Sequence, residues 1–326
     1  MAERQRGTGL LVGGLLIILI PLIVVAVVAV TTADDGISGL ARSDLGHTAT
    51  GFAIDLQGVM SEQLVTAGAV ASSTSVATAA QAVESGAADS RAAARAAQQE
   101  IERIKQASGD AVDALVLIGT DGVCFASTDG GALVGKDLSQ RAYFKTAVQG
   151  EANVGEVIVS LVTGRKVVIA ASPIYDSSGS RVTGVLSLGM DREETLGAFA
   201  KVRPAESGYT FVVDASGRFL QHPVKAYVLK MTVADTPGME SFAQVVAEKR
   251  DGTLTYVLGG EKFLAAVRRV PVTGWSVAAT VPESELYASA THTRTLIVIV
   301  TVVAAALAVL AFSLVARAHR RRPSAE

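Results

Sequence analysis

Hydrophobic residues follow three different rhythms along the chain. Two stretches are continuous. The 27 residues between Arg6 and Asp34 carry no charge, and residues 10–30 are almost all Leu, Ile, Val, Gly and Ala; a second uncharged run of 22 residues, 295–316, lies between Arg294 and Arg317. At about 1.5 Å per residue, either run crosses a hydrocarbon slab of roughly 30 Å as a helix. Transmembrane helices are therefore expected at residues 9–31 and 295–316. A cleaved secretory signal is the alternative for the first run, whose apolar stretch is about twice the usual signal core of roughly 7–15 residues.

The second rhythm is helical. Residues 36–108 are rich in Ala, Ser, Thr and Gln, with no proline and one aromatic, Phe52. Leu45, Ala49, Phe52, Leu56 and Val59 follow a 4-3-4-3 spacing that lines one helix face, a face suited to a second copy of the chain. A small-residue patch at 71–88 breaks the stretch, which resumes at 90–105.

After Gly109 the period changes to two. Residues 114–118, 123–126, 157–161, 166–172 and 182–189 read as strands, separated by Asp121-Gly122, Thr163-Gly164 and Ser178-Gly179 turns, with a short helix at 141–149. The same grammar then repeats. A strand at 209–213, a turn at 214–217 and a strand at 218–221 match the first hairpin, and residues 276–280 before Pro282-Glu283 match residues 185–189 before Asp191-Arg192. Asp191 and Glu194 have capping-box spacing for a helix start. Two copies of one antiparallel module in series follow.

Charge sets the orientation of the expected spans. Arg4 and Arg6 stand against Glu3 at one end, and Arg317, Arg320, Arg321 and Arg322 against Glu326 at the other. Both ends are expected to be cytoplasmic by the positive-inside rule, with residues 32–294 outside the cell membrane. Setting the tails aside leaves 23 basic and 29 acidic residues, a net of −6. That balance argues against nucleic acid as a partner. Cys124 is the single cysteine and the four histidines are scattered, so thiolate metal sites and H-E-x-x-H centres are excluded; no metal and no cofactor is expected. Residues 130–136 satisfy G-x-x-x-x-G-K, but Asp137 stands where a phosphate loop needs Ser or Thr, so the segment reads as a glycine turn. With no catalytic constellation in the pattern, the chain is not expected to be an enzyme.

The order of these elements resembles the double Cache sensor domain of bacterial chemoreceptors and sensor kinases, over roughly residues 9–316. The stretches that carry the resemblance are residues 138–144, Leu-Ser-Gln-Arg-Ala-Tyr-Phe; residues 172–179, Ser-Pro-Ile-Tyr-Asp-Ser-Ser-Gly; and residues 208–218, with His222-Pro223 just after. It implies an α+β fold in which two transmembrane helices flank a long N-terminal helix and two tandem PAS-like antiparallel-sheet modules. The expected division is a cytoplasmic tail at 1–8, a span at 9–31, a long helix at 32–108, a membrane-distal module at 109–200, a membrane-proximal module at 201–294, a span at 295–316 and a basic tail at 317–326.

The resemblance further implies a small-molecule ligand in the distal module. Against the amino-acid-binding motif of that family, Arg141 falls on the arginine, Tyr143 on the tryptophan and Phe144 on the final tyrosine, while Lys136 replaces the opening tyrosine. Ser160 stands where the ammonium-binding aspartate belongs. An arginine fork suits a carboxylate, whereas an ammonium wants a carboxylate opposite it, so an organic acid is favoured over an amino acid. Lys136, Arg141, Tyr143, Phe144, Ser160, Tyr175 and Asp176 are thus the candidate ligand residues. Five of them have a plainer alternative: Arg141 as a surface helix start, Tyr143 and Phe144 as module core, Tyr175 and Asp176 as turn formers.

The implied function is transmembrane sensing, as an input module without its own output domain, by a homodimer in contact with membrane lipid and with a separate cytoplasmic or membrane signalling partner. The rival is a membrane-tethered solute-binding or structural module that serves a separate receptor or transporter.

Overall fold

The structure, a computed structural model, describes residues 2–320, with most side chains before residue 38 and many beyond residue 286 outside that description. The chain forms two units, one of residues 1–44 and 282–326 and one of residues 45–281. The first consists of the outer parts of two helices, α1 (Ala2–Ala71) and α7 (Glu283–Arg320). Among the described residues no helix is long and apolar enough to cross a membrane. The expected span at 9–31 falls mostly, and that at 295–316 partly, outside the described side chains.

The second unit holds two antiparallel sheets of five strands. The first contains β1 (Val112–Gly119), β2 (Cys124–Ser127), β3 (Asn153–Val159), β4 (Lys166–Tyr175) and β5 (Val182–Asp191), in the order β2-β1-β5-β4-β3. The second contains β6 (Tyr209–Val213), β7 (Phe219–Gln221), β8 (Gly252–Leu258), β9 (Glu261–Val270) and β10 (Trp275–Pro282), in the order β7-β6-β10-β9-β8. The two orders are equivalent, as the repeat in the sequence predicts. β8, β9 and the helix α6 (Glu240–Ala247) were not among the expected elements.

The small-residue patch at 71–88 does not simply break the helix. Between Ser72-Ser73 and a turn at 85–89 it forms α2 (Thr74–Glu84), because alanine is the best helix former; α3 (Ser90–Ser108) follows. Gly86, at φ 64°, supplies the left-handed residue that ends α2.

Alternation sorts the first sheet into two faces. Leu115, Leu117, Leu186 and Leu188 join Val76, Ala79, Ala80, Ala97 and Ile101 of α2 and α3 on one side. Gly184 allows this close approach, since a Cβ there would lie 2.8 Å from the Ile118 carbonyl and 3.4 Å from Ala80 Cβ. Val116, Ile118, Val167 and Ile169 face the other side, against Leu138 and the Tyr143, Phe144 and Ala147 of α4 (Ala142–Ala147).

One expectation is corrected here. Leu45, Ala49, Phe52 and Leu56 are buried in the chain's own body, and Phe52 stacks on Phe199 at 4.4 Å between ring centroids. Burial of that apolar face within the chain takes it away from any second copy. The exposed face of the same stretch carries Gly51, Ile54, Gly58 and Val65.

Candidate functional site

The second face of the first sheet carries a cavity of about 40 Å³. Its floor is formed by Ala114, Val116, Val167, Ile169, Ser187 and Gly189, residues of β1, β4 and β5 that share this face. Its walls come from Leu138, Arg141 and Tyr143 ahead of and within α4, and from Ser160, Leu161 and Val162 in the turn between β3 and β4.

Local geometry aims each polar group. The Arg141 amide donates to Leu138 O at 3.0 Å, a turn that sets the half-buried Arg141 just before α4. Tyr143 is 4% exposed, and Gly155 lets it lie on β3: a Cβ at 155 would come within 2.8 Å of Tyr143 Cβ. Burial pushes the Tyr143 phenol up, opposed by its hydrogen bond with Ser187 and by the nearby Arg141 charge. The Ser160 hydroxyl accepts from the amides of Val162 and Thr163, both at 3.3 Å, so it shapes its own turn as well as lining the cavity. Among the described residues Arg141 has no carboxylate within ion-pairing distance.

One carboxylate does line the cavity, and the sequence pattern did not single it out. Asp113, on β1, is 3% exposed. Its Oδ1 lies 2.8 Å from Nη2 of Arg165, and its two oxygens accept from the Thr163 hydroxyl at 2.9 and 3.1 Å. Arg165 reaches with Nη1 to Oδ2 of Asp191 at 3.3 Å. Asp191 is also the cap of α5 (Arg192–Gly197), its Oδ1 accepting from the Glu193 and Glu194 amides at 2.8 and 3.2 Å.

The structure thus brings Arg141, Tyr143 and Ser160 together and leaves the other candidates elsewhere. Phe144 is packed in the core behind the cavity. Lys136 is exposed and does not line it; its carbonyl accepts from the Cys124 amide. Tyr175 donates its hydroxyl to Gly150 O at 3.0 Å, and Asp176 accepts from the Ser178 hydroxyl at 2.7 Å, which holds its carboxyl below the usual range. Both border a separate groove of about 670 Å³ beside Ser72, Thr78 and Gln81. Asp176 thus binds within its own turn, as its plainer alternative has it, while Tyr175 ties the end of β4 to residue 150. Cys124 is buried, and burial pushes its thiol up to about 12, so it is no thiolate nucleophile. Among the described residues no cluster of three or more His, Cys, Asp or Glu could hold a metal ion.

The family model described as a Cache domain matches residues 37–290. The methyl-accepting chemotaxis protein TlpB of Bacillus subtilis is 26% identical over 216 residues, 64% of this chain and 31% of that protein, so the chain spans about a third of its relative's length. Among solved structures, the ligand-binding domain of the Pseudomonas fluorescens chemoreceptor CtaA in complex with L-isoleucine matches at a TM-score of 0.60 and 17% identity, covering 79% of this chain and 99% of that one. The ligand-binding domain of the Pseudomonas aeruginosa amino acid chemoreceptor PctB in complex with L-Arg matches at 0.58 and 19%, covering 76% and 97%.

Proposed function

Because the chain belongs to the Cache domain family, we propose that it is an extracytoplasmic sensor anchored in a bacterial cell membrane. Its ligand is a short organic acid held in the cavity of the first sheet, and occupancy is relayed through the flanking helices. One observation supports the ligand class above the others: Arg141, a cation with no carboxylate partner among the described residues, faces a cavity whose only acid, Asp113, is already matched. Its planar fork can take a carboxylate bidentately, with the Tyr143 and Ser187 hydroxyls beside it. By size, about 40 Å³ admits roughly three water-sized groups, which suits an acid of a few heavy atoms.

A membrane anchor is supported by the uncharged runs of 27 and 22 residues. Leu296, Val298, Ile299, Val302, Val303, Leu307 and Leu310 are exposed over one broad face of α7, while Ile297, Thr301, Ala304 and Ala308 form a half-buried stripe; the broad apolar face is that of a helix that meets lipid or other helices. A second copy of the chain would pack on the Gly51, Ile54, Gly58 and Val65 face. Relay then requires only that the ligand bind one arrangement of the body better than another; a shift from 1:99 to 99:1 takes about 5.5 kcal/mol of such preference.

An α-amino acid is the second reading, supported by Asp113 in the cavity wall and by the amino acids bound in the structures of CtaA and PctB. Calorimetry on the full chain in detergent separates the two. Acetate, propionate or butyrate should bind, and Arg141→Ala should weaken them by at least about tenfold, the loss of one charge-assisted bidentate contact. Unchanged affinity in that variant removes Arg141, and with it this reading.

A further inference from the structure

We propose that Arg165 is a specificity-determining residue, which keeps the cavity selective for simple acids by occupying the one carboxylate that a ligand amine could use. The inference rests on the carboxylate reading of the cavity and says how 2-amino acids are kept out of it.

The Asp113 side chain is 1% exposed. A carboxylate that far from water must be matched by a cation or by several donors. Thr163 supplies a hydroxyl, and Arg165 supplies the charge at 2.8 Å. The same guanidinium extends to Asp191 at 3.3 Å, so a single cation serves two buried acids. Its backbone is tied to the cavity wall as well, since the Ser160 amide donates to Arg165 O at 2.8 Å. Arg165 therefore belongs to the turn that encloses the ligand, although it is itself 45% exposed.

A simple acid entering this cavity needs only Arg141. An amino acid brings an ammonium as well, and that group must either displace Arg165 from Asp113 or lie unmatched between the Arg141 and Arg165 charges. The first option breaks a buried ion pair, and the second sets like charges side by side. Remove Arg165, and Asp113 and Asp191 lose their common cation; a ligand ammonium then becomes the group that restores the balance.

The test uses the full chain in detergent and three matched probe pairs: acetate with glycine, propionate with L-alanine, and butyrate with L-2-aminobutyrate. Calorimetry should show the wild type preferring each acid over its amine by about tenfold or more. Arg165→Met should shift that ratio towards the amino acids by about tenfold. Arg165→Met/Asp113→Asn should restore the wild-type preference, and it removes the more deeply buried of the two charges that the single variant leaves without Arg165. Asp113→Asn alone leaves Arg165 on Asp191 and should show no shift of the acid-to-amine ratio towards the amino acids. Acid binding with the same acid-to-amine ratio in the wild type and in Arg165→Met overturns the assignment alone. L-Alanine binding by the wild type that Asp113→Asn abolishes also overturns it, because Asp113 would then take the amine itself. A wild type that binds none of the three acids defeats the carboxylate reading together with this inference.

Discussion

In the core of the second sheet, His222 is 5% exposed, and the rings of Tyr209, Phe211, Phe219 and Tyr227 surround it at centroid distances between 5.0 and 5.5 Å. Its Nδ1 accepts from the Val224 amide at 3.0 Å, so the neutral ring carries its proton on Nε2. Burial lowers its pKa from 6.5 to about 4. The unfolded chain therefore takes up a proton between these values that the folded chain refuses. Stability from this group is full above about pH 6.5, declines as pH falls, and reaches its floor near pH 4, a total of about 3 kcal/mol at 1.36 kcal/mol per unit. Urea unfolding followed by Trp275, the chain's one tryptophan and 2% exposed, should show a steeper loss between pH 6.5 and 4 in wild type than in His222→Phe. Parallel curves for the two proteins would show that His222 charges freely in the fold.

At the level of elements, what the sequence made legible is whatever depends on near neighbours. The alternation of β1 is visible in the order of Leu115, Val116, Leu117 and Ile118, and Asp191 reads as a helix cap because its partners are two and three residues away. Asp113 was not legible, because its partner Thr163 lies 50 residues further on and a lone acid in a strand gives no local sign of a matching cation. β8 escaped for a different reason: only Tyr256 in it is fully buried, so its apolar alternation is faint. The helix α1 shows the same limit. A 4-3-4-3 spacing announces an apolar face but not what covers it, and Leu56 at 0% exposure belongs to the chain's own core while Ile54 is 64% exposed. Oxidative crosslinking should therefore join two copies of an Ile54→Cys variant and leave a Leu56→Cys variant monomeric; equal crosslinking, or none at residue 54, would remove this face from the dimer.

Across the whole body of residues 45–281, two sheets of equivalent strand order carry different interiors. The first holds a largely apolar cavity set with the polar groups of Asp113, Arg141, Ser160 and Ser187, while the second is filled by packed rings, Tyr256 on Phe263 at 5.3 Å and Phe211 near Phe242 at 5.0 Å. On the proposed function, ligand chemistry falls to one half of a repeated scaffold. The helix that backs the polar half meets its sheet through Val76, Ala79 and Ala80, with Gly184 beneath. Side chains this short raise no tall ridges to interlock. A seam of this kind would act as a slip plane, because sliding α2 a fraction of a turn along the strands would exchange one methyl contact for another at little cost in buried area. Ala80→Leu would drive a knob into the Gly184 hollow and jam it. Such a variant should keep its affinity for propionate while losing any ligand-induced change in hydrogen exchange across residues 74–84, and an unaltered exchange response would show that the seam does not move.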